Sequence, residues 1–484
     1  MGREHEPIPP ILFPGRTSTE RRHIARLRAA GRIRSAGPRL YVSVPDDRVA
    51  QTLRQAWSTV VAGLFPNALI SHRTALTFQP TNEGDVFLTS TSNRTVEYPG
   101  LRLRFVRGPE ALPDDPKFMT LHSSSLPRAF LENLTTTHPS SRSRVLSQTE
   151  IEERLETILH ANGAAELQSI RVRAREIARQ FHWDKAIARL ESIIGALLQT
   201  RHHPLASEVG RSRAIGEPFD PACVERLQIL FGELRSPLPV LIDQFAAPDH
   251  PRNKAFFEAY FSNYIEGTVF EIEEAEQIVF DHQIPQARPR DAHDIQGTFD
   301  VVSNTIGMRQ TARNFGEFVE LMQLRHRAFI GQRPEAYPGQ FKTRPNRAGD
   351  THFVHPDYLV GTLRKGFELY TSVTAGIARA IFMMFLVSDV HPFVDGNGRL
   401  ARIMMNSELV ACGHSTIIVP TVFRDDYLNA LRALLRRHRP APIVQALARA
   451  QRFSHREFSP YPTVLADLQR RNWFREPDEA RIVE

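Results

Sequence analysis

Residues 391 to 402 read His391-Pro392-Phe393-Val394-Asp395-Gly396-Asn397-Gly398-Arg399-Leu400-Ala401-Arg402. That short stretch holds a base, a hard oxygen ligand, an anion nest and two cations. Gly396 and Gly398 flank Asn397 ahead of an apolar-periodic run (Leu400, Ile403, Met404, Leu409, Val410), so a turn should feed a helix N-terminus whose backbone amides converge on phosphate. Arg399 and Arg402, three residues apart, are placed to reach the oxygens of a di- or triphosphate. Asp395 suits a Mg²⁺ partly held by phosphate. His391 can take a proton near neutral pH, and Phe393 between them should anchor the loop in the core. The bland alternative is a glycine-rich turn capping a helix beside a structural histidine.

These residues resemble the signature of the Fic family, whose enzymes typically transfer AMP from ATP to a protein hydroxyl. Every position that defines the pattern is filled. With each position at about 5% usage, a chance match in a chain this long is on the order of one in a billion. The resemblance implies ATP as substrate, Mg²⁺ at Asp395, and His391 as the base for a target Ser, Thr or Tyr hydroxyl. It also implies charge stabilisation by the amides of Gly396, Asn397 and Gly398, with Arg399 on the outer phosphates and Arg402 on the γ-phosphate. The same site could instead remove AMP, with Glu266 aligning water.

Ser262-Asn263-Tyr264-Ile265-Glu266-Gly267 fits the Ser/Thr-x-x-x-Glu-Gly/Asn pattern of the inhibitory helix found in many Fic proteins. Phe256, Phe257, Tyr260, Phe261, Tyr264 and Ile265 give the preceding segment an apolar stripe at helical spacing. By the resemblance, Glu266 would pair with Arg402 in place of the γ-phosphate and misalign ATP. Release would then require a partner, a change of oligomer or self-modification, because opening a closed two-state lock takes about 5.5 kcal/mol. A solvated glutamate near a helix end is the competing reading.

The elements that must position these residues are mostly helices. They are expected around 222–234, 252–266, 268–281, 294–305, 312–328, 358–388, 399–412, 424–437 and 441–452. Gly339-Gln340-Phe341-Lys342-Thr343 and Thr351-His352-Phe353-Val354, bounded by Pro338 and Pro356, read as a β-hairpin. In Fic enzymes a hairpin here, the flap, holds the target segment by strand addition. Arg436, Arg437 and Arg439 read as a solvated face. The fold class expected is mainly α: a Fic-type helical core with a β-hairpin flap, preceded by a small α/β domain with a winged-helix-like start.

At 484 residues more than one domain is expected. The division read from composition is a basic segment at 1–45, a small α/β domain at 46–134, a helical connector at 135–221, the Fic domain at 222–455 and a tail at 456–484. Residues 1–45 carry nine Arg against three Glu, a surplus of six where the whole chain has +7. Thr17-Ser18-Thr19-Glu20 is a capping-box start, Ile24 and Leu27 should face a core, and Arg21, Arg22 and Arg26 should lie outside, where they could meet DNA phosphates. A solvated basic face explains them equally well. Residues 32 to about 134 are loosely similar to AbiEi-type antitoxin and regulator proteins, through Arg39-Leu40-Tyr41-Val42, Ser71-His72-Arg73-Thr74-Ala75-Leu76, strands at Val86-Thr89 and Leu101-Val106, and Leu126-Pro127-Arg128-Ala129-Phe130-Leu131. That similarity implies a second reading, a DNA-binding regulator whose Fic module senses nucleotide. Little room precedes residue 17 for the helices that normally come before a recognition helix. Ser71-His72 lacks a partner acid or oxyanion motif in sequence and is not read as a nucleophile pair.

Thr135 to Ser141 and His202 to Pro221 read as linkers. His202-His203 is too isolated for a metal site, and nothing has zinc-ligand spacing. Cys223 and Cys412 are too few for a disulfide framework, and no apolar run is long enough to span a membrane. With no secretory h-region at the N-terminus, the cytoplasm is the expected compartment.

Overall fold

Thr17 accepts a hydrogen bond from the Glu20 amide while the Glu20 carboxylate accepts one from the Thr17 amide, so the helix Ser18–Ala29 starts at the expected capping box. Leu27 on it is buried and Ile24 half-buried. In the computed structural model, residues 8–15, 17–135 and 143–483 are described. The chain divides into two compact units, Met1–Ile215 and Gly216–Glu484.

In the first unit the helix is followed by a hairpin of Arg34–Gly37 and Leu40–Val42, with Ile11–Leu12 completing an antiparallel sheet. A six-stranded mixed sheet then runs in the order Arg94–Tyr98, Leu101–Arg107, Asp85–Ser90, Leu69–Ile70, Leu121–Ser123, Lys117–Phe118. Its central strand Asp85–Ser90 pairs in parallel with Leu101–Arg107 and is buried along nearly its whole length, as a strand covered on both faces must be. The helices Gln148–Asn162, Ala164–Phe181 and Asp184–Leu197 share one apolar core with Leu126–Leu134, through Phe130, Leu155, Ile170 and Leu190 among others. The described part of the helical connector expected at 135–221 falls in this unit up to Ile215. Of the linker expected at Thr135 to Ser141, all but Thr135 lies outside the described residues.

The second unit is helical. Pro221–Glu233, His250–Ile265, Ile272–Asp281, Pro289–Ser303 and Phe315–Ile330 lead to the flap, and Pro356–Tyr370, Ile377–Val390, Asn397–Ala411, Arg424–Arg437, Ala441–Ser454 and Tyr461–Arg470 follow it. Ile377–Val390 is buried except for half-exposed Arg379 and packs along Asn397–Ala411, so the loop between them, which carries the signature, is held by two core helices. Two expectations are corrected. The single helix at 358–388 is two, broken before Gly376, which caps the second in the left-handed region at φ +95°. The flap pairs Arg347 with His352 and Ala348 with Thr351, not 339–343 with 351–354, because the Lys342 amide is drawn away to the Pro392 carbonyl at 2.9 Å. The expected tail also joins this unit: Tyr461 stacks on Phe257 and buried Trp473 meets Phe261 edge-on, buttressing the helix that ends at Glu266. Among the described residues no helix is long and apolar enough to cross a membrane.

Candidate active site

The central helix stops at His391, whose backbone turns left-handed (φ +53°) and whose amide still donates to the Val387 carbonyl at 3.0 Å. The reversal drives Phe393 fully into the core, stacked on His326 with ring centroids 3.8 Å apart. Asn397 then closes the loop: its Oδ1 accepts from the Phe393 amide and its Nδ2 donates to the Phe393 carbonyl, both at 2.8 Å. The side chain of Asn397 is thus spent on the loop, which leaves its backbone amide for an anion. Leu400 makes the first intrahelical bond, to the Gly396 carbonyl at 3.0 Å, so the amides of Asn397, Gly398 and Arg399 have no intrahelical acceptor. The Gly396 amide differs from expectation, since it donates to Asp395 Oδ1 at 2.7 Å.

Glu266 sits over this cradle. A Cβ on Gly398 would lie 2.1 Å from its Oε1, so only glycine lets the carboxylate approach so near. Arg402 donates from Nη2 to Glu266 Oε1 at 2.7 Å and to the Ser262 carbonyl at 2.8 Å, and from Nε to Ser262 Oγ at 3.0 Å. Ser262 and Glu266 therefore grip one guanidinium from successive turns of a helix. Gly267, left-handed at φ +93°, ends that helix just after the glutamate. Burial disfavours the charge of Arg402, but Glu266 and Tyr427 beside it outweigh this and raise its pKa. Glu266 keeps a third of its side chain exposed, while Arg402 is buried.

Arg399 does not face the cradle as the spacing suggested. It is buried, pairs with Asp294 at 2.6 Å, reaches Asn263 Oδ1 at 3.2 Å and lies over the Phe329 ring. Asp294 also binds Arg333 at 2.9 Å, and Arg333 pairs with Asp395 Oδ2 at 2.8 Å. A chain of alternating charges thus runs from Arg399 to the expected metal ligand. The Asp395 carboxylate is nearly half exposed and offers hard oxygens, so the donor chemistry fits Mg²⁺ once Arg333 yields its Oδ2. Among the described residues no group of three or more His, Cys, Asp or Glu could hold a metal, and Mg²⁺ at a single carboxylate would take its other oxygens from phosphate and water.

His391, the expected base, is placed by packing. Phe353, just past the flap, stacks on the His391 imidazole at 3.7 Å, and Nδ1 lies 3.3 Å from the Ser388 carbonyl. Burial pushes its pKa down to about 4, although the Ser388 carbonyl favours the charged form, so the ring is neutral and ready to accept a proton at pH 7. Lys342, buried beside it and lowered to about 8 by desolvation, donates to Asn346 Oδ1 at 2.7 Å, and Asn346 donates to the Phe393 carbonyl at 2.9 Å. The flap is thereby riveted to the signature loop. A cavity of about 580 Å³ opens between them, lined by His391, Gly398, Arg402 and Glu266, by the flap, and by Tyr427, Leu428, Leu431 and Leu435 of a single helix.

His391, Asp395 to Gly398 and Arg402 lie around one turn as the spacing suggested, and Ser262 and Glu266 meet Arg402 as the resemblance implied, whereas Asp294, Arg333, Lys342, Phe353 and Tyr427 were not singled out as site residues from sequence. Arg21, Arg22 and Arg26 lie exposed in the first unit. There too, Ser71 Oγ and His72 Nδ1 are 2.9 Å apart, but in a closed knot: Glu132 accepts from the His72 amide, Ser124 and Arg128, and Arg128 also binds Asp115. Burial holds His72 at about 3.

Residues 318–409 match the model of the Fic/DOC family. Curated relatives include the protein adenylyltransferases Fic of Drosophila virilis and Drosophila mojavensis, 24% and 22% identical over 214 residues, 43% of this chain and 44% and 42% of theirs. The chain spans less than half the length of these relatives. Similar solved structures include Fic-1 of C. elegans, 16% identical with a TM-score of 0.38 over 68% of this chain and 91% of that one. Another is a Fic domain containing signalling protein of Bacteroides thetaiotaomicron, 19% identical with a TM-score of 0.37 over 48% and 95%.

Proposed function

We propose that this chain, which carries a Fic/DOC-family domain at residues 318–409, is a protein adenylyltransferase held silent by its own Glu266. The observation that supports this most is the Glu266 carboxylate, 2.7 Å from Arg402 and pressed onto Gly398, an anion lodged where a phosphate tail would sit. The reading is strengthened by relatives named as protein adenylyltransferases.

In this mechanism a target Ser, Thr or Tyr hydroxyl enters beneath the flap and gives its proton to neutral His391. Its oxygen attacks the α-phosphorus of ATP, the bond to the bridging oxygen breaks, and pyrophosphate departs. Amides of Asn397, Gly398 and Arg399 stabilise the charge that builds on the phosphates, a preorganised contribution that needs no rearrangement during reaction. Arg402, freed from Glu266, grips the γ-phosphate and fixes which phosphorus faces the hydroxyl. Asp395 would hold Mg²⁺, whose charge would offset that of the phosphates. Arg399 acts as a pin that orients the helix N-terminus through Asp294. Free Cys223 and Cys412 agree with work in the reducing cytoplasm.

The test is mass spectrometry of acceptor proteins incubated with ATP and Mg²⁺. The Glu266→Gly protein should leave AMP on hydroxyl side chains, and adding His391→Ala should reduce this by about 10²–10⁴ without unfolding the protein. If folded Glu266→Gly protein modifies neither itself nor lysate proteins, the reading fails; if it only strips AMP from a modified protein, the reaction runs as removal. A second reading, DNA binding by the first unit, rests on exposed Arg21, Arg22 and Arg26 on a capped helix followed by a hairpin. A salt-dependent gel shift with its own promoter DNA, lost on neutralising those arginines, would support it.

A further inference from the structure

The flap and the end of the helix Arg424–Arg437 are far apart in sequence and adjoin in space, where Arg436 donates to Thr351 Oγ1 at 2.9 Å. Arg344 and Arg347 stand exposed on the flap, and Arg432, Arg436, Arg437 and Arg439 on the helix and just beyond it. Arg432 and Arg436 line the cavity mouth. None of the six is among the ion pairs of the described residues, whereas the half-buried Arg288 pairs with Glu274 and Arg364 with Glu217. Between residues 342 and 353 the sole acid is Asp350, and between 428 and 439 there is none. Side chains that look like a solvated face in sequence form a cationic rim on the flap and helix that border the cavity, with Arg432 and Arg436 in its lining and the other four exposed on the same two segments.

We infer that this rim selects the target segment: the hydroxyl presented to His391 is flanked by acidic residues. The inference rests on the proposed transferase activity and names its substrate class. The flap is a two-strand hairpin with an edge that can register an extended peptide through its backbone, which favours a peptide over a nucleic acid as the occupant. Backbone pairing cannot read side chains, so charge on the rim supplies the discrimination, and like-charged segments are repelled.

The test uses the full chain carrying Glu266→Gly and three synthetic peptides with one central Ser, flanked by Glu, by Gln or by Lys. Labelled AMP should enter the Glu peptide faster than the Gln peptide, by about fivefold or more at low salt, with the Lys peptide slowest and the differences shrinking as salt rises. Arg344→Glu with Arg347→Glu and Arg437→Glu should erase or invert that order through KM for peptide, while ATP binding by calorimetry and the melting temperature stay unchanged. Equal labelling of the three peptides, or a dT10 oligonucleotide competing better than the Glu peptide, would overturn the inference. Self-labelling of the same protein reports separately on whether the transferase reading stands.

Discussion

Each unit of the molecule buries an arginine against carboxylates, and the two arrangements differ in what surrounds them. Arg128 is closed in with Asp115 and Glu132, all three inaccessible to solvent, and further donates to the carbonyls of Pro109 and Glu110. Arg402 is equally buried, but its partner Glu266 is a third exposed and faces a cavity. The first arrangement leaves nothing for a ligand to gain by entering. In the second, an incoming anion can replace the carboxylate without stranding the guanidinium. A buried ion pair therefore reads as a switch only when one partner can leave toward solvent and something of like charge can take its place.

Breaking each pair should expose that difference. Arg128→Met leaves two carboxylates buried without a cation and should cost about 3–5 kcal/mol of stability in denaturant unfolding. Glu266→Gly leaves Arg402 bonded to Ser262 and open to water from the cavity, and should cost about 1 kcal/mol or less. Equal losses would mean that Glu266 is as structural as Glu132.

A smaller effect separates the two histidines. His72 and His391 are both held neutral, at about 3 and about 4. Their unfolded-state pKa is near 6.5, so as pH falls below that the unfolded chain takes up protons that the folded chain refuses. Stability contributed by keeping both rings neutral is full above 6.5 and is lost progressively down to 3 or 4, and urea midpoints at pH 7 and pH 5 should show the fall. Catalysis should be less sensitive over the same range: kcat/KM of the Glu266→Gly enzyme should stay flat from pH 8 to below 6, because free His391 remains a base throughout. An acid limb centred near 6.5 would show His391 to be solvated rather than buried beneath Phe353.

The signature was legible because its chemistry is contiguous: His391, Asp395, Gly398 and Arg402 are neighbours in sequence and stay neighbours around one turn. Glu266 was legible only by resemblance, since nothing in its helix reveals that Gly398 faces it from more than a hundred residues away. Asp294, Arg333 and Lys342 escaped notice because each enters from a different helix or loop, and a lone charge on an amphipathic helix looks like a solvated one. Arg399 was misplaced for the same reason: its spacing fits a phosphate ligand, and only the approach of Asp294 turns it inward. Helix boundaries failed where backbone conformation outweighed periodicity, as at Gly376, and the flap register failed where Lys342 and Asn346 were claimed by the signature loop. Much of the first unit's sheet was beyond reach, since strands such as Leu69–Ile70 and Lys117–Phe118 are two residues long and defined by their partners.

Silencing of an otherwise complete site by a single carboxylate is tested most directly by the initial rate of label transfer from α-labelled ATP at saturating nucleotide, native protein against Glu266→Gly. A rise of about a hundredfold is expected, the gain when an open fraction of about 1% becomes the whole population. Equal rates in two folded proteins that both bind ATP would contradict it.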